Sequence, residues 1–140
     1  MRRLFNYLAL LIALFLLGAA PGLAQSETAM APAIFGSTWT AVEINGALPV
    51  PRSTTTLIFS DPQRAGGKGG CNDWFADISL GDGTISVGNI TSTGKGCGSA
   101  VIQQEKAYFA ALAAARLWKL MDGGLVLFDG AGVPLVRFKV

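Results

Sequence analysis

The sequence predicts an α+β domain: a mostly antiparallel β meander forming a curved sheet or partial barrel, with one α-helix over about residues 99–115 packed on it. Three observations point to it. Short runs of alternating apolar and polar residues recur along the chain, separated by turns rich in glycine and aspartate. A single stretch carries convincing helical periodicity, which disfavours parallel β-α-β wiring, where each strand pair needs its own crossover. A length of 140 residues suits one modest domain.

The first 24 residues read as a secretory signal peptide. Arg2 and Arg3 form a basic start, residues 8–17 are an almost unbroken apolar run, and Gly22-Leu23-Ala24 before Gln25 offers a small-residue cleavage site. The run falls short of the roughly 20 residues that span a bilayer, so export is expected, with no stable membrane anchor after cleavage. No cysteine near the cleavage site is placed to carry a lipid. Residues 25–35 read as a flexible leader and residues 36–140 as the domain, in the periplasm or secreted. Cleavage removes Arg2 and Arg3 and leaves nine basic against nine acidic residues, so the formal charge falls from +2 to zero. A neutral domain without a basic run lacks the footprint of a nucleic-acid binder.

Residues 38–44 alternate as a strand and end at Asn45-Gly46, a strong turn dipeptide. After a loop with Pro49 and Pro51, residues 55–59 form a second strand rich in β-branched and aromatic side chains. Asp61-Pro62 then turns the chain into the stretch around which the rest is organised, residues 66–98, which holds both cysteines in glycine-rich turns. Its glycine cluster at 66–70 reads as a bulge or tight bend. Residues 73–80 read as a strand with Trp74, Ala76, Ile78 and Leu80 on one face. Gly81-Asp82-Gly83 makes a hairpin turn, residues 84–87 return, and Ile90-Thr91 continue the meander.

The helix begins at Ser99, whose hydroxyl is a suitable N-cap. Val101, Ile102, Tyr108, Phe109 and Leu112 gather on one face, while Gln103, Gln104 and Lys106 point away. The polar side is not strongly basic, so the apolar face is expected to pack on the sheet and not on a membrane. Residues 117–121, 125–128 and 133–140 supply three further strands, joined by tight turns at Asp122-Gly123 and Asp129-Gly130.

Several chemistries lack their residues. There is no histidine in the chain, which removes the commonest general base and metal ligand, and two cysteines are too few for a structural zinc site. No catalytic residue, cofactor or metal is expected. Asp73 and Asp77 share a strand face, but solvated surface groups are the ordinary reading of such a pair. The glycine cluster is followed by a strand and not by the helix that a phosphate loop requires. Cys71 and Cys97, an even pair in an exported chain, favour a disulfide, worth roughly 3–4 kcal/mol in the loop-entropy model. Free buried thiols and a redox pair remain alternatives, the latter without the CxxC spacing. Trp39, Trp74 and Trp118 each fall on a strand, where core packing is the ordinary role.

The motifs together resemble the META domain family, which includes the HslJ-like heat-shock proteins of bacterial envelopes. They run over about residues 36–139: Trp39 with Ile44-Asn45-Gly46, the strand ending in Phe59, and Gly70-Cys71-Asn72 with Trp74-Phe75. Then follow Ile90-Thr91-Ser92-Thr93 with Cys97, Glu105 with Phe109 and Leu112, and Leu125-Val126-Leu127. Gly94-Lys95-Gly96 departs from the methionine or alanine that the family usually carries before its second cysteine. The resemblance implies a compact β-rich domain with one helix, in envelope or secreted proteins tied to stress, and no catalytic residues. The expected function is a non-enzymatic, monomeric domain that binds an envelope protein or ligand or supports envelope integrity. The motif residues Gly70, Asn72, Asp73, Trp74, Phe75 and Thr93 are its candidate interaction surface. An inhibitor of an envelope-directed hydrolase, acting through a disulfide-fixed loop, and a thiol-redox protein using Cys71 and Cys97 are the alternatives.

Overall fold

The computed structural model describes residues 34–140. The expected signal peptide and most of the expected leader lie outside that range. The strands are β1 (Trp39–Ile44), β2 (Thr54–Asp61), β3 (Arg64–Gly70), β4 (Asp73–Leu80), β5 (Ile85–Val87) and β6 (Thr91–Ser92). The helix α1 (Ser99–Ala114) follows, then β7 (Leu117–Met121), β8 (Gly124–Phe128) and β9 (Pro134–Lys139).

All paired strands are antiparallel, in the order β5-β4-β3-β2-β1-β9-β8-β7, with β6 added to β4. Two meanders therefore meet where β9 returns beside β1. The ends of the sheet almost close on each other: Thr84 bridges Leu117, the Ile85 amide donates to Arg116 O at 3.0 Å, and the Trp118 amide donates to Gly83 O at 3.0 Å. This nearly closed barrel with one helix is the α+β architecture expected from the sequence.

The turns explain the closure. Asn45 and Gly46 have φ of 50° and 79°, and Asp122 and Gly123 have 54° and 68°. These left-handed pairs are the two-residue hairpin geometry whose twist matches that of the strands. The β8–β9 connection differs from the tight turn expected at Asp129-Gly130. It is a wider loop in which the Asp129 carboxylate accepts from the Ala131 and Val133 amides, both at 2.9 Å.

The core fills the barrel from every side. Leu57, Phe59, Leu125, Leu127, Val136 and Phe138 point inward from the strands, and Tyr108, Ala111 and Leu112 from α1. Trp39, Trp74 and Trp118 are all buried, as core tryptophans, and each finds a carbonyl for its indole N–H. Two residues assigned to the leader also belong to the core. Ile34 is buried, with its carbonyl accepting from Trp39 Nε1 at 3.1 Å, and Phe35 pairs with Phe59.

The expected bend at the glycine cluster is instead a full strand, β3, in the middle of the sheet. Glycine is depleted in strands, so the pattern Arg-Ala-Gly-Gly-Lys-Gly-Gly gives no strand signal. Its neighbours require the bareness. A Cβ at Gly67 (φ +151°) would stand 2.3 Å from Thr56 O. At Gly69 it would stand 2.6 Å from Glu105 Oε2 and 2.8 Å from the Phe109 ring. The helix thus packs directly onto the backbone of β3.

Candidate functional site

The β3–β4 turn is where the sequence motifs converge. The chain reverses between Gly69 and Asn72, with the Gly69 amide donating to Asn72 O at 2.8 Å. This turns the next two amides toward α1. Cys71 N and Asn72 N donate to one oxygen of Glu105, Oε2, at 3.0 and 2.6 Å, and Asn72 Nδ2 donates to the other, Oε1, at 2.7 Å. Glu105 is 6% exposed and Asn72 5%. Consecutive amides pointing at one spot form an anion-binding concavity. Here the anion is the chain's own carboxylate, supplied from the first half of the helix.

Asn72 carries the contact outward. Its Oδ1 accepts from Thr93 Oγ1 at 2.9 Å and from the Lys95 amide at 2.6 Å. The Thr93 amide donates to Asp73 O at 3.0 Å, and Thr93 Oγ1 accepts from the Asp73 amide at 3.2 Å. Cys71 and Cys97 form a disulfide, Cα to Cα 6.0 Å, that ties the segment before α1 to the same turn. The pair is joined, as the even cysteine count favours, and the free-thiol alternative does not hold.

A second cluster flanks the first. Gln104, expected to face away from the sheet, turns toward it. Its Oε1 accepts from the Val50 amide, and its Nε2 donates to Ser53 Oγ at 2.9 Å and to Thr55 Oγ1 at 3.1 Å. The buried Tyr108 hydroxyl donates to Thr56 O at 3.1 Å, and Trp74 Nε1 shares that acceptor at 3.3 Å. Burial pushes the Tyr108 phenol well above its usual range. The helix N-cap is Gly98 and not Ser99, with no side-chain cap. Among the described residues, no buried side-chain polar atom lacks a partner.

The remaining motif residues separate by face. Trp74 points into the barrel, packed edge-on against Tyr108 at 6.0 Å and Phe109 at 6.2 Å. Gly70 (φ +121°) sits in the turn itself. Asp73, Phe75 and Asp77 point out. Asp73 is bridged by Lys68 at 2.9 Å and Lys95 at 3.6 Å; the Lys68 hydrogen bond and charge, then the Lys95 charge, hold its carboxyl below the usual range. That arrangement is a surface ion cluster. It is not an acid–base pair with Asp77, which stands opposite Arg64 across the β3–β4 ladder.

Phe75 is 64% exposed. It lies between Gly66 on β3 and Thr91 on β6. Because Gly66 has no side chain, a depression of about 410 Å³ opens beside the ring, walled by Arg64, Asp77 and Ser60. The candidate surface therefore divides: Asn72 and Trp74 are buried, Thr93 is exposed but tied to Asn72, and Asp73 and Phe75 are available to solvent. Glu105 belongs to the sequence motifs, but nothing in its local pattern tells a helix-surface glutamate from an internal ligand. Its one signal is its place among the apolar residues of the buried helix face.

Comparison with known proteins agrees with this construction. Among curated proteins there is no match. Two solved structures share the fold: an NMR structure, 14% identical, TM-score 0.60, covering 76% of this chain and 92% of its own. The other, an NMR structure of a protein from Burkholderia xenovorans, is 22% identical with a TM-score of 0.61, covering 86% of this chain and 97% of its own. The model of the META domain matches residues 32–140. With that match spanning the whole barrel and its helix, the chain belongs to the META domain family.

Proposed function

We propose that this protein is an exported, non-catalytic binding domain that engages an envelope protein through the outer face of β3 and β4, centred on Phe75. The observation that carries the reading is an aromatic ring left 64% exposed beside a glycine-floored depression, on a strand whose alternate residues are fully packed. An exposed ring rimmed by Arg64, Asp77, Asp73 and Lys68 has the character of an interface: an apolar centre with a polar rim. The polar groups that would otherwise suggest chemistry, Glu105, Asn72 and Tyr108, are committed to internal hydrogen bonds. The signal-like N-terminus and the disulfide both suit an oxidising compartment outside the cytoplasm.

The test is site-specific photocrosslinking in cells that make the protein. A crosslinker at position 75 should yield a discrete adduct at least tenfold stronger than one at Val133, an exposed apolar residue on the opposite meander. Equal labelling at both positions would contradict the reading. Intact mass of the native protein should show a start near Gln25 and one disulfide.

One observation favours a second reading, an inhibitor of an envelope-directed hydrolase. Residues 91–100 are exposed throughout, and Lys95 stands in a segment tied down by Cys97. A loop already ordered loses little entropy on entering an active-site cleft. Assays against envelope-degrading hydrolases should then show inhibition that Lys95→Ala weakens and Phe75→Ser leaves unchanged.

A further inference from the structure

We propose that the Cys71–Cys97 disulfide is a reducible strap: a dithiol reductant opens it and frees residues 96 and 97, while the barrel and the Asn72–Glu105 contact stay folded. The inference holds whichever partner the outer face binds.

The argument rests on how differently the two cysteines are embedded. Cys71 is half-buried in the β3–β4 turn, and its amide is held by Glu105 Oε2 at 3.0 Å. The neighbouring Asn72 is held by the same carboxylate through its amide and its side chain. None of these bonds involves sulfur, so the Cys71 side remains anchored when the disulfide opens. Cys97 is exposed, in a run where every residue from 91 to 100 is exposed. A Cβ added at Gly94, Gly96 or Gly98 would meet nothing within 4 Å, so the side-chain side of the backbone faces open space at each. Up to Lys95 the segment is held by the β6 pairing, by Thr93 and by the Lys95 amide on Asn72. Gly98 is held at the helix start, its carbonyl accepting from the Val101 and Ile102 amides, so the described tether of residues 96 and 97 is the disulfide. A segment with few packed contacts opens at far lower free energy than a core strand, so loss of its covalent tie is felt there first.

The chemistry balances as thiol–disulfide exchange. A thiolate of the dithiol attacks the accessible Cys97 sulfur, the S–S bond breaks, and Cys71 leaves as a thiolate that takes up a proton. The second thiol of the reductant then attacks its own sulfur in the mixed disulfide. Cys97 is released as a thiol and the reductant, having given two electrons, becomes a disulfide. Dithiol oxidation reverses the sequence and returns the segment to the turn.

Backbone amide order parameters of the mature chain, measured with and without a phosphine reductant, test the proposal. Gly96 and Cys97 should be near 0.85 when oxidised and below about 0.6 when reduced, while Leu127 and Phe138 stay near 0.85. In the same samples, trypsin cleavage after Lys95 should accelerate at least tenfold on reduction. A Cys71→Ser/Cys97→Ser double variant should reproduce the reduced state without reagent. Unchanged order parameters at Gly96 and Cys97 would overturn the proposal. So would collapse of the amide spectrum throughout the barrel, since the disulfide would then hold the whole fold.

Discussion

The two meanders reach the same sheet by different means. In β8 and β9 the strands fill their own side of the barrel: Leu125, Leu127, Val136 and Phe138 are each at most 1% exposed. In β3 the inward positions are Ala65, Gly67 and Gly69; Gly67 is closed off by Thr56 of β2, and the space over Gly69 is filled from α1 by Glu105 and Phe109. One half is a sheet that brings its own core. The other contains one bare strand, β3, which at Gly69 receives its cover from a segment about 36 residues later in the chain, with polar ties where the Cys71 and Asn72 amides face the incoming helix.

That difference predicts losses of different kind as well as size. Leu127→Ala should lower the unfolding free energy by about 3–5 kcal/mol, with a cavity and no change in which amides are protected. Glu105→Ala should cost about 3 kcal/mol, because the Cys71 and Asn72 amides and Asn72 Nδ2 lose their acceptor together. Hydrogen exchange should then accelerate at Cys71 and Asn72 before it does in β8. Urea denaturation of the two variants, with exchange on each, separates the cases; equal exchange patterns would remove the distinction.

Smaller effects follow from the groups around these ties. Tyr108→Phe should cost about 1 kcal/mol for the bond to Thr56 O. The buried phenol ionises at higher pH in the folded chain than in the unfolded one. Its contribution is therefore complete below the unfolded phenol pKa near 10 and is lost as the pH rises above it. An alkaline stability profile should fall more steeply in the parent than in Tyr108→Phe. Asp73 has the opposite sign. Its lowered folded pKa stabilises above the ordinary carboxylate range, and that contribution is lost on acidification. Because the cluster is exposed and screened, Asp73→Asn should leave the urea midpoint at neutral pH unchanged in 0.5 M salt.

The same contrast explains what the sequence made legible. β4 and β9 are readable because alternation along a strand records burial of its own side chains, as the alternately exposed and buried residues from Asp73 to Ser79 show. The Asn45-Gly46 and Asp122-Gly123 turns were readable because left-handed backbone selects those residues. β3 was not, since its inward face is occupied by residues from α1 and its own composition resembles a loop. Gln104 was placed on the wrong side of the helix for a related reason: amphipathic spacing counts a polar side chain as solvent-facing, whereas the Val50–Thr55 region offers it three partners. The disulfide is legible as an even cysteine pair in a chain with a signal-like N-terminus. That Glu105 fills the turn beside it depends on a contact across 34 residues, which no local pattern encodes.

The central claim is that β3 is bare at Gly69 because the helix occupies its inward space. Replacing Gly69 and Gly94 by alanine in separate variants and measuring urea unfolding tests it most directly. An alanine at Gly94 meets open space, and one at Gly69 meets Glu105 and Phe109. Removing a glycine from the unfolded chain by itself stabilises by about 0.4–1 kcal/mol. Gly94→Ala should therefore be neutral or slightly more stable, and Gly69→Ala should lose about 2 kcal/mol as the helix is forced off the strand. Gly69→Ala as stable as Gly94→Ala would show that the helix does not rest on β3, and the account of this half of the barrel would fail.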